Sequence, residues 1–289
     1  MTAFKGVLHR YTEKKVAFEF DPIDNDKVVV MIGGMTDGLL TVPFVDRLGA
    51  ALNKCGFGLI QIQMKSSYRG YGTSSLAEDA NDIEALIKYL KSKEGGARRK
   101  IILMGHSTGS QDVLHYILTK NRYGIDAAVL QGSCSDREGF VDDVGENVYT
   151  KLNVLPKRLV DEGKGDELLS SEYSKYMGGT PVTAYRWCSL MLKGGDDDYF
   201  SSDLDTETIK QTIGKIDIPF LVAYPEIDEF VPKSIDKIAL LKRWESCSQT
   251  QFWSKNSGLI KGGLHWLPEP ETQDYFYVMV TKFIEEFNL

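Results

Sequence analysis

The sequence has few of the features that several classes of protein need. It contains four cysteines among 289 residues, and their wide spacing matches no metal site or disulfide framework. No segment approaches the roughly 20 apolar residues that span a bilayer, and residues 1–15 lack the apolar stretch of a signal peptide. We therefore expect a cytoplasmic protein without a membrane span, a bound metal or another cofactor.

Positive charge is also scarce. Lysine and arginine number 34 against 41 aspartates and glutamates, for a formal net charge of −7, and no block of basic residues stands out. Nucleic acids and anionic membrane surfaces are bound through clustered basic side chains, so neither is an expected partner. Hydrophobic residues make up 42% of the chain, which is enough for one large α/β domain with an insertion, or for two domains.

The most informative stretch begins with the apolar run Ile101 to Met104, which predicts a short buried strand. Gly105-His106-Ser107-Thr108-Gly109 follows directly, and apolar residues then recur at helical spacing. Strand, G-x-S-x-G and helix together match the nucleophile elbow, a turn so tight that it needs both glycines. We predict that Ser107 is a nucleophile held in a strained backbone conformation, although the pentapeptide alone also fits an ordinary surface serine.

Apolar strands alternate with amphipathic helices on both sides of this turn. The predicted strands are Val7–His9, Val16–Phe20, Lys27–Ile32, Phe57–Met64, Ile101–Met104, Ile125–Leu130, Ile218–Tyr224 and one within residues 250–260. The predicted helices are Pro43–Lys54, one after Ser75, one after Ser107, one from Pro232, and Glu271–Phe287. This alternation predicts an α/β fold with a mostly parallel central sheet and helices on both faces.

The alternation stops at residue 136 and returns at residue 216. Residues 136–215 predict short helical fragments between glycine-rich and acidic pieces such as Gly194 to Asp198. We interpret residues 1–135 and 216–289 as the core, and residues 136–215 as a cap inserted after a core strand. The acidic pieces fit no metal-binding loop and are interpreted as solvated turns.

A serine hydroxyl becomes a useful nucleophile only when an adjacent base takes its proton. Of the four histidines, His9 lies on an early edge strand and His115 lies two turns into the helix after the serine. His106 adjoins the nucleophile, and its side chain is expected to point away from it. His265 lies in a Gly-Gly loop just after the final predicted strand, where an imidazole can reach Ser107. We predict that His265 is the base.

The base needs a carboxylate that fixes its tautomer and stabilises the imidazolium. Asp228 directly follows the penultimate strand and is the predicted partner, with Glu226 and Glu229 as possible substitutes. The order Ser107, Asp228, His265 is the chain order of the triad in α/β-hydrolases. The sequence therefore predicts an α/β-hydrolase fold that carries a catalytic triad.

Two backbone N–H groups are candidates for the oxyanion hole. The loop from Gly33 to Gly38 follows an apolar strand, and in a hydrolase it brings the N–H of Met35 toward the substrate carbonyl. The N–H of Thr108, directly after the nucleophile, is the second expected donor. Without the elbow at Ser107, the first loop would be interpreted as a plain glycine turn.

Candidate substrate-binding residues lie in two regions. Tyr68 and Arg69 belong to a loop at the carboxyl end of a strand, where ligands bind in open α/β sheets, although a solvated loop fits as well. In the cap, Arg137 can offer a forked donor to an oxygen atom, or can form an ion pair with Asp136 or Glu138. Trp187, like Tyr185 and Tyr199, can form an aromatic wall or pack the cap on the core.

Four phrases of the sequence resemble one family of α/β-hydrolases. They are Gly-Gly-Met-Thr-Asp-Gly-Leu-Leu at 33–40, Gly-His-Ser-Thr-Gly-Ser-Gln-Asp at 105–112, Leu-Gln-Gly-Ser-Cys-Ser-Asp-Arg-Glu at 130–138 and Glu-Ile-Asp-Glu-Phe-Val-Pro at 226–232. They are similar to a fungal and protist family first described as a domain of unknown function. One class of its members hydrolyses ester bonds of the hydroxamate siderophores fusarinine C and triacetylfusarinine C inside the cell. The resemblance covers most of the chain, and Ser107, Asp228 and His265 match the family triad.

The expected function is therefore that of an intracellular serine esterase acting on a small-molecule ester, and the resemblance adds an iron-siderophore as a candidate substrate. A lipid or acylglycerol hydrolase is an alternative that the mixed, charged cap disfavours. A peptidase or an acyltransferase would use the same triad. A receptor or binding protein with this fold is a non-enzymatic alternative, since fold does not fix function.

Overall fold

The computed structural model describes residues 3–289, and its central element is an eight-stranded sheet. The strands are β1 (Gly6–Arg10), β2 (Val16–Phe20), β3 (Lys27–Ile32), β4 (Gly58–Ile62), β5 (Lys100–His106), β6 (Ala127–Gln131), β7 (Phe220–Pro225) and β8 (Gly258–Ile260). Their spatial order is β1-β2-β4-β3-β5-β6-β7-β8. β2 is antiparallel to both β1 and β4, and the strands from β4 to β8 are parallel to one another.

Helices cover both faces of the sheet, which is why the central strands are continuous apolar runs. The covering helices are α1 (Val45–Asn53), α2 (Leu76–Lys91), α3 (Thr108–Thr119), α9 (Lys237–Cys247) and α10 (Pro270–Glu286). On one face, Leu86 of α2 and Trp244 of α9 belong to the same buried cluster as Val30. On the other face, Leu48 of α1 and Phe276 of α10 belong to a second cluster. The carboxyl ends of the parallel strands are thereby held at one edge of the sheet.

The chain between β6 and β7 is helical. It contains α4 (Asp136–Val144), α5 (Glu146–Asp161), α6 (Ser171–Ser174), α7 (Ala184–Met191) and α8 (Thr206–Gln211), and it adds no strand to the sheet. Phe140, Leu152, Tyr173 and Trp187 belong to its own buried cluster. These helices lie within the predicted cap, whose boundaries at 136 and 215 stay a prediction. In the described part of the chain, no helix combines the length and apolar character that crossing a bilayer requires.

Several helices and strands begin or end at other residues than the sequence predicts. Pro232 does not open a helix: α9 begins five residues later, at Lys237, because Asp236 caps it and accepts a hydrogen bond from Ala239 N at 3.0 Å. The first helix begins at Val45 rather than Pro43, and the last strand has only three residues. The predicted cap of α2 is present, since the Ser75 side chain accepts from Glu78 N at 3.2 Å.

Candidate active site

The turn between β5 and α3 holds Ser107 in a conformation that side chains rarely adopt. Its φ of 53° and ψ of −126° correspond to a strain of about 1–3 kcal/mol. Hydrogen bonds on both sides maintain the turn: Ser107 N donates to the Gln131 carbonyl at 2.9 Å, and Ser110 N donates to the Ser107 carbonyl at 2.8 Å. The strained strand-to-helix turn that the sequence predicts is therefore present.

Three glycines allow the backbone to close around Ser107. A Cβ atom on Gly105 would lie 2.3 Å from the carbonyl oxygen of Gly109, and one on Gly109 would lie 2.5 Å from the carbonyl oxygen of Ile32. A Cβ atom on Gly34 would lie 2.7 Å from Cβ of Ser107. No side chain fits at these distances, so the elbow and the loop after β3 can approach each other only because these residues are glycine.

The loop after β3 carries the first predicted oxyanion donor. It is folded back on itself, with Gly34 N donating to Asp37 Oδ2 at 2.8 Å and Asp37 N donating to the Gly34 carbonyl at 3.0 Å. Within residues 3–289, neither Met35 N nor Thr108 N donates a hydrogen bond to another protein group. Thr108 is also the first residue of α3, where the helix dipole favours negative charge. Two N–H groups near Ser107 are thus available to a ligand.

The loops after β7 and β8 bring Asp228 and His265 together. His265 Nδ1 lies 2.7 Å from Asp228 Oδ2, and both side chains are buried. The other carboxylate oxygen of Asp228 accepts from Phe230 N at 3.0 Å. Because Nδ1 is occupied, Nε2 is the ring nitrogen that His265 can offer to Ser107. Among the described residues, no hydrogen bond joins the side chains of Ser107 and His265, but both of these residues line the same cavity.

The two glutamates considered as substitutes hold backbone rather than the imidazole. Glu229 Oε2 accepts from His265 N at 2.9 Å, and Glu226 Oε2 accepts from Gly262 N at 2.8 Å. Both therefore fix the course of the loop that carries His265. The geometry thus gives Asp228 the position expected of the acid in a triad.

The cavity in front of Ser107 has a volume of about 550 Å³. One side is formed by loops at the sheet edge, including Met35, Phe230 and Trp266. The opposite side comes from the helical segment between β6 and β7, including Phe140 and Tyr176. The cavity therefore lies between the sheet edge and the helical segment.

Negative side chains predominate in the cavity lining. The charged residues that line it are Asp37, Asp136, Asp142, Asp143, Glu229 and Lys175. Burial, together with the charge of Asp197, raises the pKa of Asp136 to about 7, and Arg186 acts in the opposite direction. The charge of the cavity consequently changes near neutral pH.

The loop residues predicted to bind substrate do not line this cavity. The Tyr68 hydroxyl accepts a hydrogen bond from Leu39 N at 2.8 Å, so the ring braces the loop after β3 from outside. Arg69 is exposed and is absent from the cavity lining. The loop that carries both residues leaves β4, which is separated from the nucleophile strand β5 by β3.

The two cap residues predicted to bind substrate are also occupied elsewhere. Arg137 is paired with Asp203, rather than with Asp136 or Glu138, and lies 3.6 Å from Asp198. It does not line the cavity, and its contact with a substrate stays a prediction. Trp187 is fully buried and donates from Nε1 to Asn153 Oδ1 at 2.7 Å. It packs inside the helical segment, against Phe140 and Tyr173.

Sequence reasoning missed the aromatic side chains around the predicted base. Phe230 and Trp266 place their ring centroids 4.8 Å and 5.5 Å from that of His265. Both lie within two residues of a triad position, and this proximity was the available signal. Sequence reasoning also missed Gln131, the last residue of β6, whose side-chain Nε2 donates to the His265 carbonyl at 3.2 Å.

Cys134, Asp228 and His265 form the one group within residues 3–289 whose potential metal-ligating atoms all lie within 4.8 Å of one another. Asp228 and His265 already bond each other. Burial and the charge of Asp228 raise the pKa of the Cys134 thiol, which disfavours the thiolate that a metal needs. The chemistry of this donor set therefore fits a proton-transfer pair better than a metal site.

A strained serine after a parallel strand, with a His–Asp pair on the loops of later strands, is the arrangement of the α/β-hydrolases. Solved structures confirm this predicted fold: siderophore hydrolase EstB from Aspergillus fumigatus matches with a TM-score of 0.84 at 29% identity, over 98% of both chains. The chain belongs to the family described as "Protein of unknown function (DUF1749)", whose profile matches residues 1–287. The predicted family resemblance is thereby confirmed.

Two curated relatives match over nearly the whole chain. A UPF0613 protein of Schizosaccharomyces pombe is 37% identical over 284 residues, covering 90% of this chain and 89% of its own length. Fusarinine C esterase sidJ of Aspergillus fumigatus is 31% identical over 331 residues, covering 96% of this chain and 94% of its own length. The similarity therefore includes both the sheet and the helical segment.

Proposed function

We propose that this protein is a serine hydrolase that cleaves carboxylic esters through an acyl-enzyme. One observation carries the proposal: strained Ser107 shares a cavity with His265, whose Nδ1 is held by Asp228 at 2.7 Å. The names of two relatives, an esterase and a siderophore hydrolase, support the same class of reaction.

In the proposed reaction, Ser107 Oγ attacks the ester carbonyl while His265 Nε2 takes its proton. Asp228 keeps the Nδ1–H tautomer of His265 and stabilises the imidazolium that forms. His265 then gives the proton to the leaving alcohol. Water, activated by the same imidazole, releases the acid and restores Ser107.

The oxyanion of each tetrahedral intermediate would accept hydrogen bonds from Met35 N and Thr108 N. Preorganised donors of this kind contribute about 2.7–4 kcal/mol each to transition-state stabilisation. Their free N–H groups and the close approach of Gly34 to Ser107 support this assignment.

We further propose that the substrate is an ester of a hydroxamate siderophore, with or without its iron. The relatives named for fusarinine C and for siderophore hydrolysis support this narrower class. We also propose that residues 136–215 act as a cap that sets substrate choice, because their helices supply one side of the cavity. The four cysteines are all unpaired, which is compatible with the proposed cytoplasmic location.

The test combines active-site labelling with turnover. A fluorophosphonate should label the wild type, and Ser107→Ala should abolish the label and lower kcat about 10³-fold or more without changing the fold. Ser170→Ala, at an exposed serine outside the cavity, is the matched control and should leave both unchanged. Unchanged esterase activity in folded Ser107→Ala would overturn the mechanism.

A panel of esters then tests the substrate class. We expect repeated turnover of p-nitrophenyl esters, and a higher kcat/KM for a cyclic hydroxamate triester than for short alkyl esters. A single burst without turnover on every ester would support a binding protein instead. Equal kcat/KM values across the panel would contradict the siderophore proposal and leave the esterase proposal standing.

A further inference from the structure

We propose that Gln131 and His106 form a buried pair that positions the nucleophile and the His265 loop relative to each other. This inference rests on the proposed function, because it assigns the pair a role in that reaction. Both side chains are fully buried. They face each other across the parallel strands β5 and β6, where His106 and Gln131 are register partners.

Gln131 contacts three parts of the site at once. Its backbone carbonyl accepts from Ser107 N at 2.9 Å, which holds the elbow. Its side-chain Nε2 donates to the His265 carbonyl at 3.2 Å, and its Oε1 is hydrogen-bonded to His106 Nδ1. One residue therefore links the backbone of the nucleophile, the backbone of the base and the ring between them.

These contacts determine the tautomer of His106. A carbonyl oxygen can only accept, so the atom of Gln131 that faces the His265 carbonyl must be the amide nitrogen. The atom that faces His106 Nδ1 is then the amide oxygen, and Nδ1 must carry the proton. His106 Nε2 is left as a buried lone pair without a hydrogen-bond partner among the described residues.

Its surroundings keep His106 uncharged in this pair. Burial, followed by the repulsion of His265, lowers the pKa of His106 to about 3, and the Gln131 hydrogen bond opposes this only in part. The ring centroids of His106 and His265 are 5.0 Å apart, and Phe44 supplies an apolar edge contact to His106 at 5.6 Å. A charged His106 would oppose the imidazolium that forms on His265 during the reaction. The neutral amide of Gln131 accepts a hydrogen bond from His106 Nδ1 but carries no negative charge that would favour a second proton on the ring.

The charge of this region is set by few groups. His265 faces Asp228 through Nδ1 and Glu229 through its backbone N–H. Asp136, which lines the cavity, interacts electrostatically with His265. Lys237 donates to the Asp228 carbonyl at 3.4 Å from the α9 side. A carboxylate introduced at position 131 would be a new charge directly at His106.

Gln131→Glu tests the pair with almost no change of shape. The carboxylate cannot donate to the His265 carbonyl, so we expect kcat to fall roughly 10- to 100-fold while KM changes little. The anion should also raise the pKa of His106 and add an ionisation to the pH profile of kcat/KM. That added ionisation should vanish in Gln131→Glu/His106→Asn, because asparagine does not titrate. Gln249→Glu, which replaces an amide that bonds the Ile216 carbonyl, is the matched control and should change neither kcat nor the profile.

A second comparison decides the matter if Gln131→Glu does not fold. His106→Asn retains an N–H group for Gln131 Oε1 and should keep kcat within a few-fold, whereas His106→Leu removes it and should lower kcat about 10-fold or more. Equal kcat values for these two variants would overturn the inference, and so would an unchanged kcat and pH profile in folded Gln131→Glu.

Nitrogen-15 NMR of the wild type gives a reading that does not depend on activity. We expect the signals of His106, which are the ones missing from His106→Asn, to be those of a neutral ring with its proton on Nδ1 throughout pH 5–9. A His106 that carries its proton on Nε2, or that titrates in this range, would overturn the inference. A wild type that neither reacts with fluorophosphonate nor turns over an ester would instead contradict the proposed function.

Discussion

Arg186 and Asp197 form an ion pair in which Nη1 lies 2.7 Å from Oδ2 and each side chain is 1% exposed. The guanidinium also lies over the ring of Tyr71, 4.4 Å from its centroid. Burial alone would lower the pKa of Arg186, but the charge of Asp197, followed by the carboxyl groups of Asp79 on α2 and Asp112 on α3, outweighs it, so that the pKa is raised. One buried cation therefore joins α7, in the helical segment, to two helices that cover the sheet.

Removing this cation should destabilise the protein strongly. Arg186→Met leaves Asp197 buried without its partner, and we expect the free energy of unfolding to fall by about 3–5 kcal/mol. Urea denaturation at pH 7 measures the change. Arg158→Met removes an exposed arginine whose Nε lies 3.9 Å from Glu162, so it should cost less than about 1 kcal/mol. Equal losses in both variants would contradict the role given to Arg186.

The raised pKa of Asp136 predicts that stability falls as pH rises. The folded-state pKa is about 7 and the unfolded value is near 3.9, so between these values the folded state retains a proton that the unfolded state releases. The contribution of Asp136 to the free energy of unfolding is therefore greatest below pH 4. It is lost as the pH rises from there through 7, by at most about 1.4 kcal/mol per pH unit.

Asp136→Asn tests this pH dependence because asparagine keeps the shape and does not titrate. Urea denaturation at pH 5, 6, 7 and 8 should show a smaller decline for the variant than for the wild type. Asp79, whose pKa burial raises to about 6, leaves a residual slope of the same sign. Parallel stability curves for wild type and variant would show that Asp136 ionises normally.

The acid of the proposed triad can be distinguished from its neighbours. Asp228→Asn should lower kcat by on the order of 10⁴-fold with little change of KM, because His265 would be held in the wrong tautomer. Glu226→Gln keeps an oxygen that can accept from Gly262 N and is the matched control, expected to retain most of the activity. If steady-state kinetics show the larger loss for Glu226→Gln, the assignment of Asp228 is wrong.

A single added methyl group tests whether activity depends on the close approach of the elbow to the loop after β3. Gly109→Ala places Cβ 2.5 Å and 2.6 Å from the carbonyl oxygens of Ile32 and Gly33, so the loop that carries Met35 must move. We expect kcat to fall about 10²-fold, together with a lower melting temperature. Gly258→Ala meets no atom within 4 Å and should leave kcat unchanged. Retained kcat in Gly109→Ala would show that this loop contributes no oxyanion donor.

Elements set by local pattern were predictable from the sequence. Lys27–Ile32 is a strand at its predicted bounds, because a run of apolar residues buried on both faces leaves little choice. The elbow was recognisable because its strand, its glycines and its helix adjoin in the chain. The His265–Asp228 contact followed from loop position, since strands that are parallel neighbours present their carboxyl ends together.

Residues whose partners lie far away in the chain were not predictable. Arg137 pairs with Asp203, 66 residues later, and Trp187 bonds Asn153, 34 residues earlier. No local pattern shows such contacts, so both side chains were equally suited to a ligand. Pro232 signalled a helix start, but the capping side chain of Asp236 determines where α9 begins.

The helical segment leaves the sheet after β6 and returns at β7, and these two strands are hydrogen-bonded neighbours. The excursion, residues 132–219, therefore starts and ends at almost the same place, and loops with adjacent ends are tolerant of insertion and replacement. One wall of the cavity is thus carried by a stretch of chain separate from those that carry the groups proposed to break the ester. A change confined to the excursion can therefore alter one wall of the cavity while the chain that carries the elbow and the His–Asp loops stays as it is.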